Sequence, residues 1–431
     1  MDAKVRWLRA GRGFALVAAV FLAGCSRLSI SFGESVGVGS EKATREDVLA
    51  LDLKEGETLE FSGRTASIEV EARAGAKPEV RATFTAHADD RETAEQILAR
   101  YSLVAERTGS GLRLRVEGEP LEAKSGISTR RLAASAACKV AAPAGTALRA
   151  KTESGSIEAR GSLGSCEART SFGGVKVEGA RGGVLAESKS GAIAVAAARG
   201  GSVVVKSDFG AVSVKDVEAE RVEARSASGA VEVEEARAGR IEVESGFGRL
   251  RIARVAGEIA AKTSSGAVDL EEAAEGKADL SSGFGAVTVR GAAGTLRAKS
   301  QSGAVTVEGF RGEVAAESGF GSVGLRGVFS KVAATSGSGK VEVRAERGSA
   351  PSSGWRLASG FGSLLLEAPA DFACRLEAKT SFGSIECDFP VTTEAGWNST
   401  KKELVGTVNG GGETVALDAK SGSIAVRKAG A

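Results

Sequence analysis

From Gly155 onward, hydrophobic and polar positions fall into one short repeated frame. A Ser-Gly or Phe-Gly pair recurs with Gly at 155, 173, 191, 210, 229, 248, 266, 285, 303, 321 and 339, at intervals of 18 or 19 residues. Further copies at Gly362, Gly383 and Gly422 follow gaps of 23, 21 and 39 residues. Two residues after each Gly stands an aliphatic residue, as in Ile157, Val175, Val231, Leu250 and Ile424. Four residues after it the position is again small or apolar, as in Ala159, Val177, Val233, Ile252, Cys387 and Val426. Polar or small residues mostly lie between. A period of two is that of a β-strand with one buried face. A second alternating run precedes each Gly, as in Ile241-Glu242-Val243-Glu244. Each unit therefore reads strand, Gly turn, strand, turn. Gly suits the bend because it accepts positive φ and leaves room for close backbone packing.

Such a unit cannot bury its own apolar face, but stacked neighbours can, which is the logic of a solenoid. The pattern predicts an all-β chain: a single-stranded parallel β-helix with 18–19-residue rungs over residues 138–431. Insertions are expected near 345–357 and 390–412. At about 4.8 Å per rung, fourteen copies would form a rod of roughly 65 Å. The usual hand of strand crossovers predicts right-handed coiling.

The residue before each Gly adds a second rhythm. It runs Ser154, Phe172, Ser190, Phe209, Ser228, Phe247, Ser265, Phe284, Ser302, Phe320, Ser338, Phe361, and then slips at Phe382 and Ser421. Counting in twos puts this position on the inward face. The expectation is that Phe rings fill the core at every second rung, with Ser making room between them. The rival is that each unit is half a coil, with Phe209 and Phe247 on adjacent rungs. Five residues after Gly, Glu271, Arg290, Glu308 and Arg326 alternate in sign, so in-register stacking would set opposite charges side by side.

The ends differ from the middle. Lys4, Arg6, Arg9 and Arg12 precede a short apolar run, Phe14 to Ala23, that closes in Leu22-Ala23-Gly24-Cys25. The run is too short to span a bilayer. The tetrapeptide resembles a bacterial lipobox, which implies a signal peptide over 1–24 and acylation of Cys25. With Ser26 following, the resemblance implies an outer-membrane destination. Residues 25–47 are expected as a lipidated tether. Residues 48–137 lack the repeat and read as a β-rich capping module, with strands near Glu57–Phe61, Ala66–Ala72, Glu79–Ala86 and Gly111–Val116. A short amphipathic helix fits Arg91–Tyr101.

The Ser-Gly-Ser-Ile units (Ser154–Glu158, Ser421–Ile424), the β-rich lead-in and the Gly410-Gly411-Gly412 insertion before a last repeat together resemble the putative-adhesin family of bacterial envelope proteins, a domain-of-unknown-function family. That resemblance implies a β-solenoid and carries over no catalytic residue.

Composition narrows the chemistry. Gly is 58 of 431 residues, about twice the ordinary share, yet the collagen repeat is absent. One histidine, His87, removes His-based triads and multi-His metal sites. The formal charge of +2 belongs to the leader, and residues 25–431 carry a net −1, which gives no footprint for nucleic acid. Gly319-Phe-Gly-Ser-Val-Gly324 matches a dinucleotide fingerprint, but strands are expected on both sides of it. Ser336-Gly-Ser-Gly-Lys340 lacks the hydroxyl residue of a phosphate loop, and the turns lack the Asp residues of calcium β-rolls. No metal or cofactor is expected. Of the four cysteines after Cys25, Cys374 and Cys387 could bridge across one rung, while Cys138 and Cys166 stay unassigned. Trp355 and Trp397, in the two irregular insertions, are candidates for contact with a glycan or protein partner, against local packing.

The expectation is a non-enzymatic cell-envelope lipoprotein, held to the membrane by its N-terminal lipid and presenting a rigid rod to an envelope protein or glycan. The alternatives are an envelope-stress sensor, a self-assembling scaffold, or a polysaccharide-active β-helix enzyme. The last would need two placed carboxylates.

Overall fold

A computed structural model describes residues 35–36, 39–125, 128–393 and 402–429. The proposed leader, the lipobox with Cys25, and Trp397 lie outside these residues.

Strands pair in parallel with the strand one unit further on. Val212 sits beside Val231, Val231 beside Leu250, and Leu250 beside Val268. One 18–19-residue unit is therefore a full turn, and the protein is a β-solenoid of about 12 turns. The half-coil alternative is excluded, because the Gly229 rung lies between those of Gly210 and Gly248. In the central rungs, Val212–Ser226 and Val231–Ser245 run as continuous strands that pair along three sides of the coil.

The inward row is the expected one. Ile157, Val175, Val231, Leu250 and Val268 are buried, as are Val177, Val233 and Ile252 two residues later. Between Leu148 and Val307 every buried apolar side chain is Ala, Val, Leu, Ile or Cys166. The coil is narrow, so Ala150, Ala168, Ala186 and Ala224 face inward where larger side chains would overfill it. Outside, Glu271, Arg290, Glu308 and Arg326 stack in register. Arg290 lies 3.8 Å from Glu271 and 3.4 Å from Glu308, but Arg326 turns instead to Glu346 at 3.0 Å. Such exposed pairs contribute at most about 1 kcal/mol each.

The repeat-free N-terminal region is continuous with the solenoid. Thr58–Gly63 and Ala66–Arg73 form a rung beneath Ala147–Thr152 and Ile157–Gly161. Gly111–Gly118 and Ser135–Pro143 form another beneath that. Leu59, Phe61, Ile68 and Val70 supply its buried row, so inward alternation suffices to make a rung without the Gly motif. The stack is closed by a change of direction. Tyr101–Thr108 pairs antiparallel on one side; on the other, Glu79–Ala88 and then Glu41–Ala50 do so. Helix Arg91–Ala99 starts at Asp90, whose carboxylate accepts from Thr93 N–H at 2.8 Å, and buries Ala94, Ile97 and Leu98. Antiparallel closure covers edges that would otherwise recruit other chains. Residues 41–47, expected as tether, are strand, because pairing with Glu79–Ala88 satisfies their backbone.

The C-terminal end is built out of chain order. After Trp355–Ser359 and Leu364–Ala368 the chain skips a place and lays Cys374–Thr380 and Ile385–Cys387 as the outermost rung. Glu403–Val408 caps it antiparallel, and Thr414–Ala419 with Ile424–Lys428 then slots back into the gap.

Candidate functional site: an exposed phenylalanine ladder

The Gly corner repeats with little change along the rod. Each first strand ends three residues before Gly, on an inward Ser or Thr at every corner but that of Gly422, where Ala419 stands. The Ser226 hydroxyl donates to the Gly210 carbonyl of the preceding rung at 2.9 Å and accepts from Gly229 N–H at 2.9 Å. Ser245 does the same with Gly229 and Gly248, both at 2.9 Å. Thr170, Ser188, Thr263, Ser300 and Ser336 repeat the pattern. A buried hydroxyl thus holds each corner to the one before, with its donor and acceptor both used.

The corner glycines do not adopt positive φ. They are needed because the rungs touch there. A Cβ on Gly229 would lie 2.1 Å from the Gly210 carbonyl oxygen, and one on Gly248 would lie 2.0 Å from that of Gly229. Of the two reasons for Gly read from sequence, close approach is the one that operates.

The residue before Gly points outward. Phe172, Phe209, Phe247, Phe284, Phe320, Phe361 and Phe382 are each 66–80% exposed. This overturns the expectation of a Phe-filled core. The strand that sets the inward face ends at the Ser or Thr, and the chain then turns through the residues around Gly, so counting in twos does not survive the corner. The backbone N–H of Phe209 donates to the Lys189 carbonyl at 2.9 Å and that of Phe284 to the Ser264 carbonyl at 3.1 Å, which fixes the base of each ring to the rung before.

The slip in the Ser/Phe alternation vanishes in space. Gly422 stacks on Gly362, and Gly383 stacks on Gly422. Ser421 therefore lies between Phe361 and Phe382, and the order along the rod is strictly Ser, Phe, Ser, Phe from Ser154 to Phe382. Rings stand on every second rung, about 9–10 Å apart. The residue after Gly is mostly small, as in Gly174, Ala211, Ala230, Ala267, Ala286 and Ala304, so the rings rise from a low floor.

The family model of Toastrack DUF4097 matches residues 140–318 and 257–427. The chain belongs to the Toastrack family. No curated protein matches it. Among solved structures, it is similar to a putative cell adhesion protein from Clostridium sporogenes at 7% identity, covering 90% of this chain and all of that one, with a TM-score of 0.17. It is also similar to a putative adhesin from Bacteroides fragilis at 14% identity, covering 59% and 99%, with a TM-score of 0.32.

Elsewhere in this Toastrack chain the expected contact residues fall out differently. Trp355 is not a surface residue. It is 1% exposed, donates from Nε1 to the Ser330 carbonyl at 3.1 Å, and packs edge-on to Phe329 and against Phe372. The rung that it opens is wide enough for an indole because the 346–354 loop replaces the regular corner. Cys374 and Cys387 are both free thiols, so the predicted bridge is not formed. Cys374 is buried and its thiol is pushed up to about 11, chiefly by that burial, while the Cys387 thiol donates to the Phe389 carbonyl at 3.7 Å. Burial also pushes Cys138 and Cys166 up to about 12, far from thiolate reactivity. His87 sits half-buried on strand Glu79–Ala88.

A hollow of about 620 Å³ is lined by Arg326, Arg344, Glu346, Arg347, Glu367 and Asp371, and two of its three carboxylates are tied to guanidiniums, Glu346 to Arg326 and Glu367 to Arg344. Hydrogen bonds from Lys215 and Arg254 hold the Glu234 carboxyl below its ordinary range, the wrong direction for a general acid. Among the described residues no group of three or more His, Cys, Asp or Glu is placed to hold a metal. Also among these residues, no helix is long and apolar enough to cross a membrane. The nucleotide-like Gly319–Gly324 segment is one more corner, leading into strand Val323–Ser336.

Proposed function

We propose that this Toastrack protein is a non-enzymatic binding rod of the cell envelope, acylated at Cys25, whose phenylalanine ladder is the contact face. The observation that carries this reading is seven large apolar side chains left in water on one edge, at one spacing. Scattered exposed apolar residues are ordinary on a protein surface, but seven large ones aligned on one edge mark an interaction face. A rod with repeated sites binds weakly at each rung and strongly in sum. The two small residues Ala23 and Gly24 between Leu22 and Cys25 support the lipid anchor.

Two measurements test it. Acyl labelling should mark the wild-type chain and not Cys25→Ser, and protease shaving of intact cells should report whether the rod faces outward. Cells carrying Phe209→Ser, Phe247→Ser and Phe284→Ser together should lose attachment to their partner surface while keeping normal protein levels. Unchanged attachment would refute the ladder as the contact face.

A further inference from the structure

The ladder's partner has its own signature in the spacing. If the stripe served only to present apolar surface, as to a lipid bilayer, Phe at every rung would serve better. Instead Ser stands at every second rung, and the out-of-order C-terminal strand restores that gap where the linear sequence breaks it. The gap itself is therefore part of the surface.

We infer that the ladder is self-complementary and that its partner is a second copy of this chain, docked antiparallel with the two sets of rings interleaved. This inference rests on the reading of the ladder as the contact face. Rings two rungs apart leave room for one ring between them. An interleaved ring would lie about 4.8 Å from each neighbour, inside the 4.5–7 Å range of favourable aromatic pairs. A ladder that runs strictly Ser to Phe is also reversed into its complement. Turned end for end about a two-fold axis between the Ser265 and Phe284 rungs, Phe284 faces Ser265, Phe247 faces Ser302, Phe209 faces Ser338 and Phe172 faces Ser421. Every ring meets a gap over the whole length. Had Ser421 followed Phe382 in space, the end of the array would set Phe against Phe.

Area and charge agree. Seven rings of about 150–250 Å², some two-thirds exposed, offer about 700–1,200 Å² on each copy, against about 800 Å² per partner in a standard interface. Four residues before Gly, the same overlay sets Arg169 against Asp418, Arg225 against Glu317 and Glu244 against Lys299, so that the Arg225–Glu244 and Lys299–Glu317 pairs within each copy meet with opposite charges opposed. Only Lys151 and Lys379, at the extreme ends, meet a like charge. Two-fold pairing of one patch with itself is the commonest form of protein self-association. It would also place the two N-terminal ends, where Ser35–Val36 pairs with Ser128–Ala133, at opposite ends of the pair. Rods rooted in two facing surfaces would be joined by it.

The test uses the mature chain with Cys25→Ser, which keeps every described residue, in sedimentation equilibrium and small-angle scattering. The expected result is a reversible dimer whose length matches the monomer and whose cross-section is doubled. Ser265→Phe with Ser302→Phe fills the gaps while adding apolar surface, and should weaken the dimer at least about tenfold. Phe247→Ser with Phe284→Ser should weaken it similarly. A chain that stays monomeric, or a gap-filled variant that associates as well or better, overturns the interleaved pair. Binding to peptidoglycan sacculi or to phosphatidylglycerol vesicles that needs the Phe residues but survives gap filling would overturn it too, while leaving the ladder as a contact face. Loss of neither dimer nor attachment in the Phe variants would sink both readings.

Discussion

Two of the corners that each rung repeats are held by different physics. At the Gly corner, backbone approaches backbone: the next rung's carbonyl sits where a side chain would begin, and a buried hydroxyl ties the two together. Six residues later the chain turns again through a left-handed residue. There Gly161 and Gly179, then Ala197, Asp216, Glu235, Arg254 and Glu272, then Gly291 and Gly309 follow one another, the five non-glycine residues at φ of 52–54°. The first corner is limited by space and admits only Gly. From Ala197 to Gly309 the second is limited by chirality, costs an ordinary residue about 1–2 kcal/mol and admits several types, whereas Gly161 and Gly179 are crowded as well, a Cβ there lying 2.1 and 2.5 Å from a carbonyl oxygen of the preceding rung. A position fixed by contact leaves a plain mark in sequence; one fixed by backbone preference does not.

The largest expected effect breaks the first corner. Gly248→Ala would put Cβ against the Gly229 carbonyl oxygen and should destabilise the chain by about 3 kcal/mol or more. At the second corner Gly291, with φ +63° and no atom nearer than 3.9 Å to its would-be Cβ, should tolerate Ala at a cost of about 1 kcal/mol. Guanidinium midpoints would compare them directly, and equal losses would end the distinction.

Next comes the hydroxyl that locks the first corner. Ser226→Ala leaves the Gly229 N–H and the Gly210 carbonyl without their partner and should cost about 1–3 kcal/mol. Ser226→Thr should stay within about 0.5 kcal/mol, because Thr170 and Thr263 already make the same two bonds. Faster amide exchange at Gly229 in the Ala variant alone would locate the loss.

These corners also explain how far the sequence could be read. Period, strand alternation and the inward rows at Val231 and Val233 were legible because each is a local pattern along a straight strand. The direction of Phe247 was not. The preceding strand implies one parity and the following strand the other, and only the corner's path decides between them. The buried Ser and Thr ladder is visible as a small polar residue three before every corner Gly except Gly422, a signal that looks like solvent exposure until the hydroxyl's partners are known. The restored alternation at Ser421 was beyond reach, since it depends on Thr414–Ala419 slotting between two earlier strands. At Trp355 the sequence leaves local packing and partner contact both open, and packing is the one realised: the irregular loop marks a wider core.

A gain should follow at the second corner. Ala197 holds φ 53° without glycine's freedom, and its side chain makes no bond. Ala197→Gly should relieve the strain and stabilise the chain by about 0.5–1 kcal/mol, since the entropy glycine loses on folding offsets part of the relief. A drop in the denaturation midpoint would mean that the left-handed turn is set by neighbouring rungs rather than opposed by chirality.

The smallest effect on the fold is expected at the most visible residues. Phe247 is 69% exposed, so Phe247→Ser removes little buried surface and should change stability by no more than about 0.5 kcal/mol. Its rung would then resemble its neighbours at Ser228 and Ser265, which fold on the same corner. A residue that the fold can spare, and that exposes apolar surface to water at every second rung, is kept for something outside the fold. A loss of 2 kcal/mol or more on this substitution, read by the same denaturation, would place the ring's role back inside the molecule and remove the ladder from consideration as a contact face.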